Sequence, residues 1–396
     1  MNNSPSTRGP VNMEISIRMP FGLVHLNSAG EALLLPPDVT AAGSRLAYGP
    51  YLRAIAGYLS ANSYRALKTV LARQPFPAPR LRESRSIRLI SEKHGALYSV
   101  SRLEVEFENR TFSFAVNTAF SPEQQAFLHH EHTLLKTFYK RFQLHFLPRP
   151  FLAGSTTLHV EREAIPIALF VAEWFEDFHE FHLSRPKPGE GTAGDLALHL
   201  WKPEPDPFFL DPGQTAELYR QAAAILTAYL DTGSFKQIYP WHHAAGDFIV
   251  RTRRRGIEVR LITARSYRSL LPGRADAENK LLGLLHFFIN LAVRMRLDRL
   301  DGTGDLVWAP PSCLPHIIRG FCEIWEKRRN DDPVLPGVDD IFSLFLRFSR
   351  EERLAFTEIV QRDGQVESDE AAFLLPRLPQ HVADLAAAMK RTLEES

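Results

Sequence analysis

Apolar and polar positions change rhythm several times along the chain, and each change predicts an element. After a polar stretch at 1–12, alternation over 13–35 predicts a short hairpin around 27–30, an appendage to the main body of the chain. Between 51 and 73, Leu52, Ile55, Leu59, Leu67, Val70 and Leu71 recur at helical spacing until Pro75, Pro77 and Pro79 stop the pattern. One or two helices and a proline-marked linker are expected there. Strand chemistry takes over at 86–119, where apolar runs at 87–90, 96–100, 103–107 and 111–116 are separated by Gly95 and by Glu108-Asn109-Arg110. Three or four antiparallel strands should result. Ser121-Pro122-Glu123 is a helix start, with serine as cap and proline in the first turn, where its missing amide costs nothing. The helix should run over 122–142. Further strands are expected at 144–147, 155–160 and 167–172, the last leading into the acidic aromatic stretch Glu173-Trp174-Phe175-Glu176-Asp177-Phe178-His179. Beyond the turn Gly189-Glu190-Gly191 the pattern is mainly helical, over 214–231, 275–296, 313–327, 338–348 and 349–363, with amphipathic helix continuing to 393 around Pro376 and Pro379.

One interruption breaks that helical half. The polar loop Tyr239-Pro240-Trp241-His242-His243-Ala244-Ala245-Gly246-Asp247 feeds the apolar run Phe248-Ile249-Val250, and a second run returns at 259–262 after the basic turn 251–256. This is a hairpin with polar groups at its mouth. Such a mouth suits a metal or phosphate site, because strands fix the backbone while the loop presents side chains.

Composition narrows the partners. A chain of 396 residues suggests two or three packed units, and 44% hydrophobic residues suffice to fill them. With 47 basic and 46 acidic residues the formal charge is +1, so nothing global steers the chain toward nucleic acid or an anionic membrane. A small molecule or a protein is the expected partner. Two cysteines, Cys313 and Cys322, exclude a disulfide framework and fit a reducing, cytoplasmic setting. No secretory signal is read at the N-terminus, and no membrane span is expected. The longest apolar run, 281–293, is interrupted by His286 and Asn290 and falls short of the roughly 20 residues a bilayer needs. It predicts a buried core helix.

Several common chemistries lack their residues. There is no P-loop, Gly302-Thr303-Gly304-Asp305 reads as a turn, Gly154-Ser155-Thr156 is not a nucleophile elbow, and no cysteines sit at zinc spacing. His129, His130 and His132 point in different directions from one helix and read as surface residues. Glu176, His179 and His182 are spaced by three, which on a helix would align them for a metal; a polar exposed helix explains the row equally well. His242, His243 and Asp247 are the strongest candidates for chemistry, against the alternative that the histidines only brace the loop. Trp241 reads as a packing anchor. Arg251, Arg253, Arg254 and Arg255 at the hairpin turn, with Arg260 on the return strand, either rebuild an anion site or keep the tip soluble.

Six short stretches keep a telling order: Lys93-His94-Gly95-Ala96-Leu97-Tyr98 between strands, Phe114-Ala115-Val116-Asn117 closing a strand, His129-His130-Glu131-His132 on the helix, Glu173-Trp174 in the linker, the loop at 239–247, and Arg260-Leu261-Ile262-Thr263-Ala264-Arg265 on the return strand. In that order the chain resembles the protein-kinase-like superfamily, especially its aminoglycoside and choline phosphotransferase branch, over about 86–327. The resemblance implies an α+β, two-lobed fold: an N-terminal extension of hairpin and helices at 1–80, an antiparallel-sheet N-lobe at 81–172, a mainly helical C-lobe at 173–330 and a C-terminal helical extension at 331–396. It also implies ATP or another nucleotide with Mg2+ as ligands. Asn117 then stands where a kinase has its phosphate-binding lysine, and Glu131 is that lysine's glutamate partner. Gly95 is what remains of the glycine-rich loop, and Glu173 and Trp174 lie where backbone groups meet adenine. His242 takes the catalytic base position, with His243 beside it, and Asp247 takes that of the metal-binding asparagine. Thr263 replaces the second metal-binding aspartate, and Arg265, in the glycine position beyond it, suits either an ion pair or a phosphate contact.

Phosphoryl transfer depends on cations that neutralise the phosphates, and loss of both the lysine and the metal aspartate removes most of that stabilisation. The expected function is therefore that of a catalytically degenerate, pseudokinase-like protein acting as a nucleotide- or ligand-binding regulatory module. The alternative is an active, atypical phosphoryl or nucleotidyl transferase using His242 and Asp247 on a small molecule or protein.

Overall fold

A computed structural model describes residues 12–20, 22–36, 46–77, 79–95, 97–160, 163–186, 196–202, 208–241, 246–271, 277–365 and 367–395. The chain divides into two compact units, Met1–Glu176 and Asp177–Ser396. Its class is mixed α+β, with a large mixed sheet in the first unit and a helical C-terminal part in the second.

The first unit contains β1 (Met13–Met19), β2 (Gly22–His25), the single turn α1 (Ser28–Glu31), α2 (Tyr48–Ala72), β3 (Ser86–His94), β4 (Ser99–Glu106), β5 (Thr111–Ala119), α3 (Pro122–Arg141), β6 (Pro150–Val160) and β7 (Glu163–Glu173). These seven strands share one sheet in the order β2-β1-β3-β4-β5-β7-β6. Neighbours are antiparallel except β1 and β3, which run parallel with Ile15 opposite Leu89. The sheet is thus mixed where an antiparallel one was expected, and the expected appendage supplies two of its strands. Parallel neighbours need a crossover, and the stretch containing α2 provides one. The first hairpin turns between Met19 and Gly22 instead of at 27–30; Asn27 caps α1, accepting from Gly30 N at 3.1 Å.

Strand side chains alternate across the sheet. Ile87, Leu89, Leu103, Val105, Phe114, Val116, Ile167, Leu169 and Val171 share one buried core with Tyr51, Leu52, Ile55, Leu59, Leu67 and Val70 of α2. Each such buried side chain is worth about 1.5–3 kcal/mol. Gly154 of β6 meets α2 so closely that a Cβ there would run into the Tyr58 hydroxyl, so this glycine serves packing. α2 itself is two helical pieces joined through Asn62, Ser63 and Tyr64 at φ 51, 55 and 62. The other face of β5 and β7 is covered by α3. α3 starts as its sequence dictates, with Ser121 Oγ accepting from Gln124 N at 3.2 Å and Gln124 Oε1 accepting from Ser121 N at 3.2 Å. Leu128, Glu131, Leu135 and Phe138 turn inward from it. No strand forms at 144–147: α3 ends at Arg141, Gln143 just beyond it takes a φ of 52, and the chain then leads directly into β6.

The second unit contains β8 (Phe181–Ser184), β9 (Ala197–Leu200), β10 (Phe208–Phe209), α4 (Pro212–Ala228), β11 (Lys236–Ile238), β12 (Phe248–Thr252), β13 (Ile257–Leu261), β14 (Tyr267–Ser269), α5 (Ala277–Arg294), β15 (Leu297–Arg299), β16 (Leu306–Trp308), α6 (Leu314–Asp331), α7 (Val338–Arg347), α8 (Arg350–Asp363), α9 (Ser368–Leu374) and α10 (Leu378–Glu395). Besides the expected hairpin, β8 to β10, β11 with β14, and β15 with β16 form small sheets that the helical pattern conceals. Runs this short carry too few alternations to be read. α5 is the expected core helix, burying Leu284, Leu285, Phe287, Phe288, Ile289 and Leu291. α6, α7 and α8 pack on it, and α10 packs on those three. A buried pair, Arg294 Nη1 to Glu370 Oε2 at 2.5 Å, ties α5 to α9, so the C-terminal helices are integral to this unit. Gly320 of α6 lets that helix approach the Arg220 carbonyl of α4, and the Arg328 guanidinium caps Ala228 and Leu230 at the end of α4. No helix among the described residues is long and apolar enough to cross a membrane.

Candidate functional site

Asp247 is positioned by the hairpin it leads into, β12 with β13. Phe248 pairs with Leu261, Val250 with Val259 and Thr252 with Ile257, which turns Phe248, Val250, Val259 and Leu261 onto one fully buried face toward α4. Both edges are pinned. His179 and Val250 exchange backbone hydrogen bonds of 2.8 Å, and the Gln221 amide of α4 donates to Ile257 O at 3.0 Å and accepts from Val259 N at 2.9 Å. Such capping leaves little edge for another strand.

The ladder continues one step past the hairpin, with Ile262 N donating to Asp247 O at 2.8 Å. Gly246 precedes it at φ 77, a left-handed conformation natural to glycine. Asp247 is 1% exposed, and its carboxylate is gripped by a guanidinium fork: Arg265 Nη1 donates to Oδ2 at 2.6 Å and Nη2 to Oδ1 at 2.5 Å. Arg265 reaches back because Thr263 and Ala264, both buried, hold the intervening chain against the unit. This bidentate geometry is the strong form of an ion pair. A second carboxylate stands close by, since a Cβ on Gly246 would lie 3.3 Å from Glu180 Oε2. Nothing in the sequence around Glu180 marks it. Trp241 is buried, with its ring edge-on to Phe248 at 6.2 Å, as a packing anchor should be. His242 and His243 lie outside the described residues.

In the first unit, Asn117 and Glu131 lie on the α3 side of the sheet. Thr118 faces α2, where Tyr51 Oη meets Thr118 Oγ1 at 2.6 Å, so Asn117 faces the other way, beside its strand partner Phe170. The Phe170 ring lies 5.7 Å from His132 of α3 and 6.5 Å from Tyr98. Glu131, 3% exposed, accepts a hydrogen bond of 2.5 Å from the Tyr98 hydroxyl. The turn between β3 and β4 is closed by Gly95 N donating to Tyr98 O at 3.1 Å. Tyr98 thus links that turn to Glu131, a contact sequence spacing does not show. Glu173 is exposed and accepts from Arg149 N at 3.3 Å, while Trp174 lies under the Arg102 guanidinium at 5.4 Å. Both side chains are occupied in local structure.

The spaced row Glu176, His179, His182 is not a helix. Glu176 is in a turn, His179 is bridged to β12, and His182 lies in β8 with its ring 4.6 Å from Trp201 and its Nδ1 3.7 Å from Asp298. Over so short a stretch a period of three is ambiguous, and backbone pairing decides it. His129 and His130 are exposed as expected, whereas His132 is half-buried, and burial followed by the charges of Lys136, His129 and Arg73 lowers its pKa. Cys313 and Cys322 are free thiols pushed up to about 12, chiefly by burial, and so are poor nucleophiles. Arg251, Arg253 and Arg260 converge on Glu258. Burial raises the pKa of that carboxyl, but the hydrogen bonds from Arg251 and Arg253 and the charges of Arg260 and Arg251 outweigh it and hold the group below its ordinary value.

A magnesium nucleotide held as kinases hold it needs a cation on the strand and two metal-binding oxygen ligands in the loop and after the hairpin. The described residues supply Asn117, an Asp247 whose two oxygens are taken by Arg265, and Thr263. That donor set does not fit. Among the described residues no group of three or more His, Cys, Asp or Glu side chains is placed to hold a metal ion. No protein-family model matches the chain, and no curated protein matches its sequence.

Proposed function

We propose that the protein is a catalytically degenerate, kinase-like module that works by binding a ligand or a partner and not by ordinary magnesium-dependent phosphotransfer. The observation that carries this reading is the Arg265–Asp247 fork. A carboxylate that aligns with a metal-binding side chain already has its charge balanced and both oxygens engaged, so a divalent cation would have to displace a guanidinium to reach it. Order supports the kinase-like part: the meander β3-β4-β5, then α3, then β6 and β7 in the first unit, and in the second Gly246 and Asp247 leading into a two-stranded hairpin. Tyr98 supports the degenerate part, because it gives Glu131 a hydrogen-bond donor where Asn117 has replaced the lysine.

The test is a thermal-shift titration of the full chain with ATP, alone and with MgCl2 or MnCl2, alongside an assay for loss of the γ-phosphate. Any nucleotide response should be the same with and without the divalent ion, and no γ-phosphate should be released. Metal-dependent turnover that Asp247→Ala abolishes would overturn the reading and restore the active transferase.

A further inference from the structure

The face of the β12–β13 hairpin turned away from α4 concentrates charge that the rest of the chain balances. Register puts Arg251 opposite Glu258 and Ile249 opposite Arg260, so Arg251, Arg253, Glu258 and Arg260 share the face opposite the buried one. Arg253, Arg254, Arg255 and Gly256 are exposed at the turn, and a Cβ on Gly256 would meet nothing within 4 Å. Five arginines therefore stand against one glutamate in ten residues of a chain whose total formal charge is only +1.

Three of these arginine side chains are paired. Arg251 Nη2 donates to Glu258 Oε2 at 2.7 Å, Arg253 Nη2 donates to the same oxygen at 2.9 Å, and Arg260 engages Oε1. The Phe178 ring lies beneath two of them, 4.5 Å from the Arg251 guanidinium and 5.8 Å from that of Arg260. Stacking and a shared carboxylate hold the forks in place before any ligand arrives, which lowers the entropy cost of binding. Arg253, Arg254 and Arg255 stand exposed at the tip of that braced face, and a guanidinium carries five N–H donors, so a group with several charged oxygens matches the tip well.

We infer that this hairpin face docks a phosphorylated segment of a protein partner. A phosphomonoester brings close to two charges and three acceptor oxygens, matching paired arginine forks. The tip is an open turn that encloses nothing, so its occupant must bring its own surface, as a protein segment does. A nucleic acid would need phosphate contacts along an extended track, and an anionic membrane would need a broad basic plane; this patch is ten residues of one hairpin. The inference stands apart from the kinase-like reading, since it uses neither Asp247 nor a nucleotide.

The experiment is fluorescence anisotropy on the full chain, with a labelled peptide pool in which one phosphoserine is fixed and the flanks are randomised. Its controls are the unphosphorylated pool, the pool with glutamate in place of phosphoserine, a short single-stranded DNA, and phosphatidylcholine vesicles containing phosphatidylserine. Expected is binding of the phosphopeptide pool at least about tenfold tighter than of either peptide control, lost in the charge-reversed Arg253→Glu/Arg254→Glu/Arg255→Glu variant. The Arg253→Lys/Arg254→Lys/Arg255→Lys variant, which keeps the charge but not the forks, should lose the preference over glutamate. Absence of phosphopeptide binding, tighter binding of DNA or vesicles, or binding unchanged in either triple variant would overturn the assignment.

Discussion

Glu131 in the first unit and Asp247 in the second are buried carboxylates at positions where the resemblance calls for a cation, and different donors serve them. Glu131 receives the phenol of Tyr98 at 2.5 Å, and Asp247 receives both arms of Arg265 at 2.6 and 2.5 Å. The phenol is a neutral donor adding one hydrogen bond, whereas the guanidinium brings a compensating charge as well. Removing the first should cost a hydrogen bond; removing the second should strand a charge. The two carboxylates are therefore served by donors of different charge, and mutation can measure the difference.

The largest effect belongs to the fork. Arg265→Ala leaves a carboxylate that is 1% exposed without its guanidinium, and should lower stability by about 3 kcal/mol in urea unfolding. The double variant Asp247→Asn/Arg265→Met, which removes both charges, should lose less than the single one. A cost under about 1 kcal/mol for Arg265→Ala would make the pair equivalent to a surface ion pair and dissolve the contrast with Glu131.

Acid should separate the units next. His381 of α10, fully buried, has its pKa pushed down to about 3 by burial and then by the charge of Arg296, whose Nη1 lies 3.1 Å from His381 Nδ1. In the first unit His132 is lowered but only half-buried. A histidine with a depressed folded pKa stays neutral in the native state while the unfolded chain takes up a proton. Stability is thus intact above the ordinary 6.5 and falls as pH drops from there toward about 3. At about 1.4 kcal/mol per pH unit, His381 alone should cost about 2 kcal/mol by pH 5. Urea midpoints at pH 7.5 and pH 5 measure the slope, which His381→Leu should flatten; an unchanged slope would assign the acid sensitivity elsewhere.

How much of this the sequence carries depends on the range of each contact. Ser121, Pro122 and Gln124 set the start of α3 within four residues, and α3 begins there. Ser349 caps α8 in the same way, with Glu352 returning the bond. The hairpin of β12 and β13 is equally plain, because its turn is short and its apolar runs are strong. The parallel pairing of β1 with β3 is invisible, since Ile15 meets Leu89 only after a crossover has been made in three dimensions. The site divides in the same way. Arg265 stands out by its place after Thr263, and an ion pair is one of its two readings, but nothing local says that Asp247 is the partner. Tyr98 sits unremarked among apolar neighbours, and only the β3–β4 turn brings it to Glu131.

A smaller loss is expected for the phenol. Tyr98→Phe keeps the ring against Phe170 and removes the donor to Glu131, for about 1.5 kcal/mol. Adding Asn117→Lys to that variant should recover part of the loss, because a cation on the α3 side of β5 would be back on the face that holds Glu131. A Tyr98→Phe cost equal to that of Arg265→Ala would show that charge is not what distinguishes the two carboxylates.

The smallest effect belongs to the hairpin tip, and its smallness is informative. The Arg253 side chain is 53% exposed and shares Glu258 with two other guanidinium groups, so Arg253→Ala should change stability by less than about 0.5 kcal/mol. Arg251, 22% exposed and stacked on Phe178, should matter more, at about 1 kcal/mol. The gradient separates two jobs within one hairpin: Arg251 braces the face, and Arg253 is presented at its turn. If Arg253→Ala destabilises the protein as much as Arg251→Ala, the tip is part of the scaffold and its charge needs no partner. If it leaves stability untouched while phosphopeptide binding weakens, the exposed arginines of the tip are explained by what they meet, because the fold does not require them.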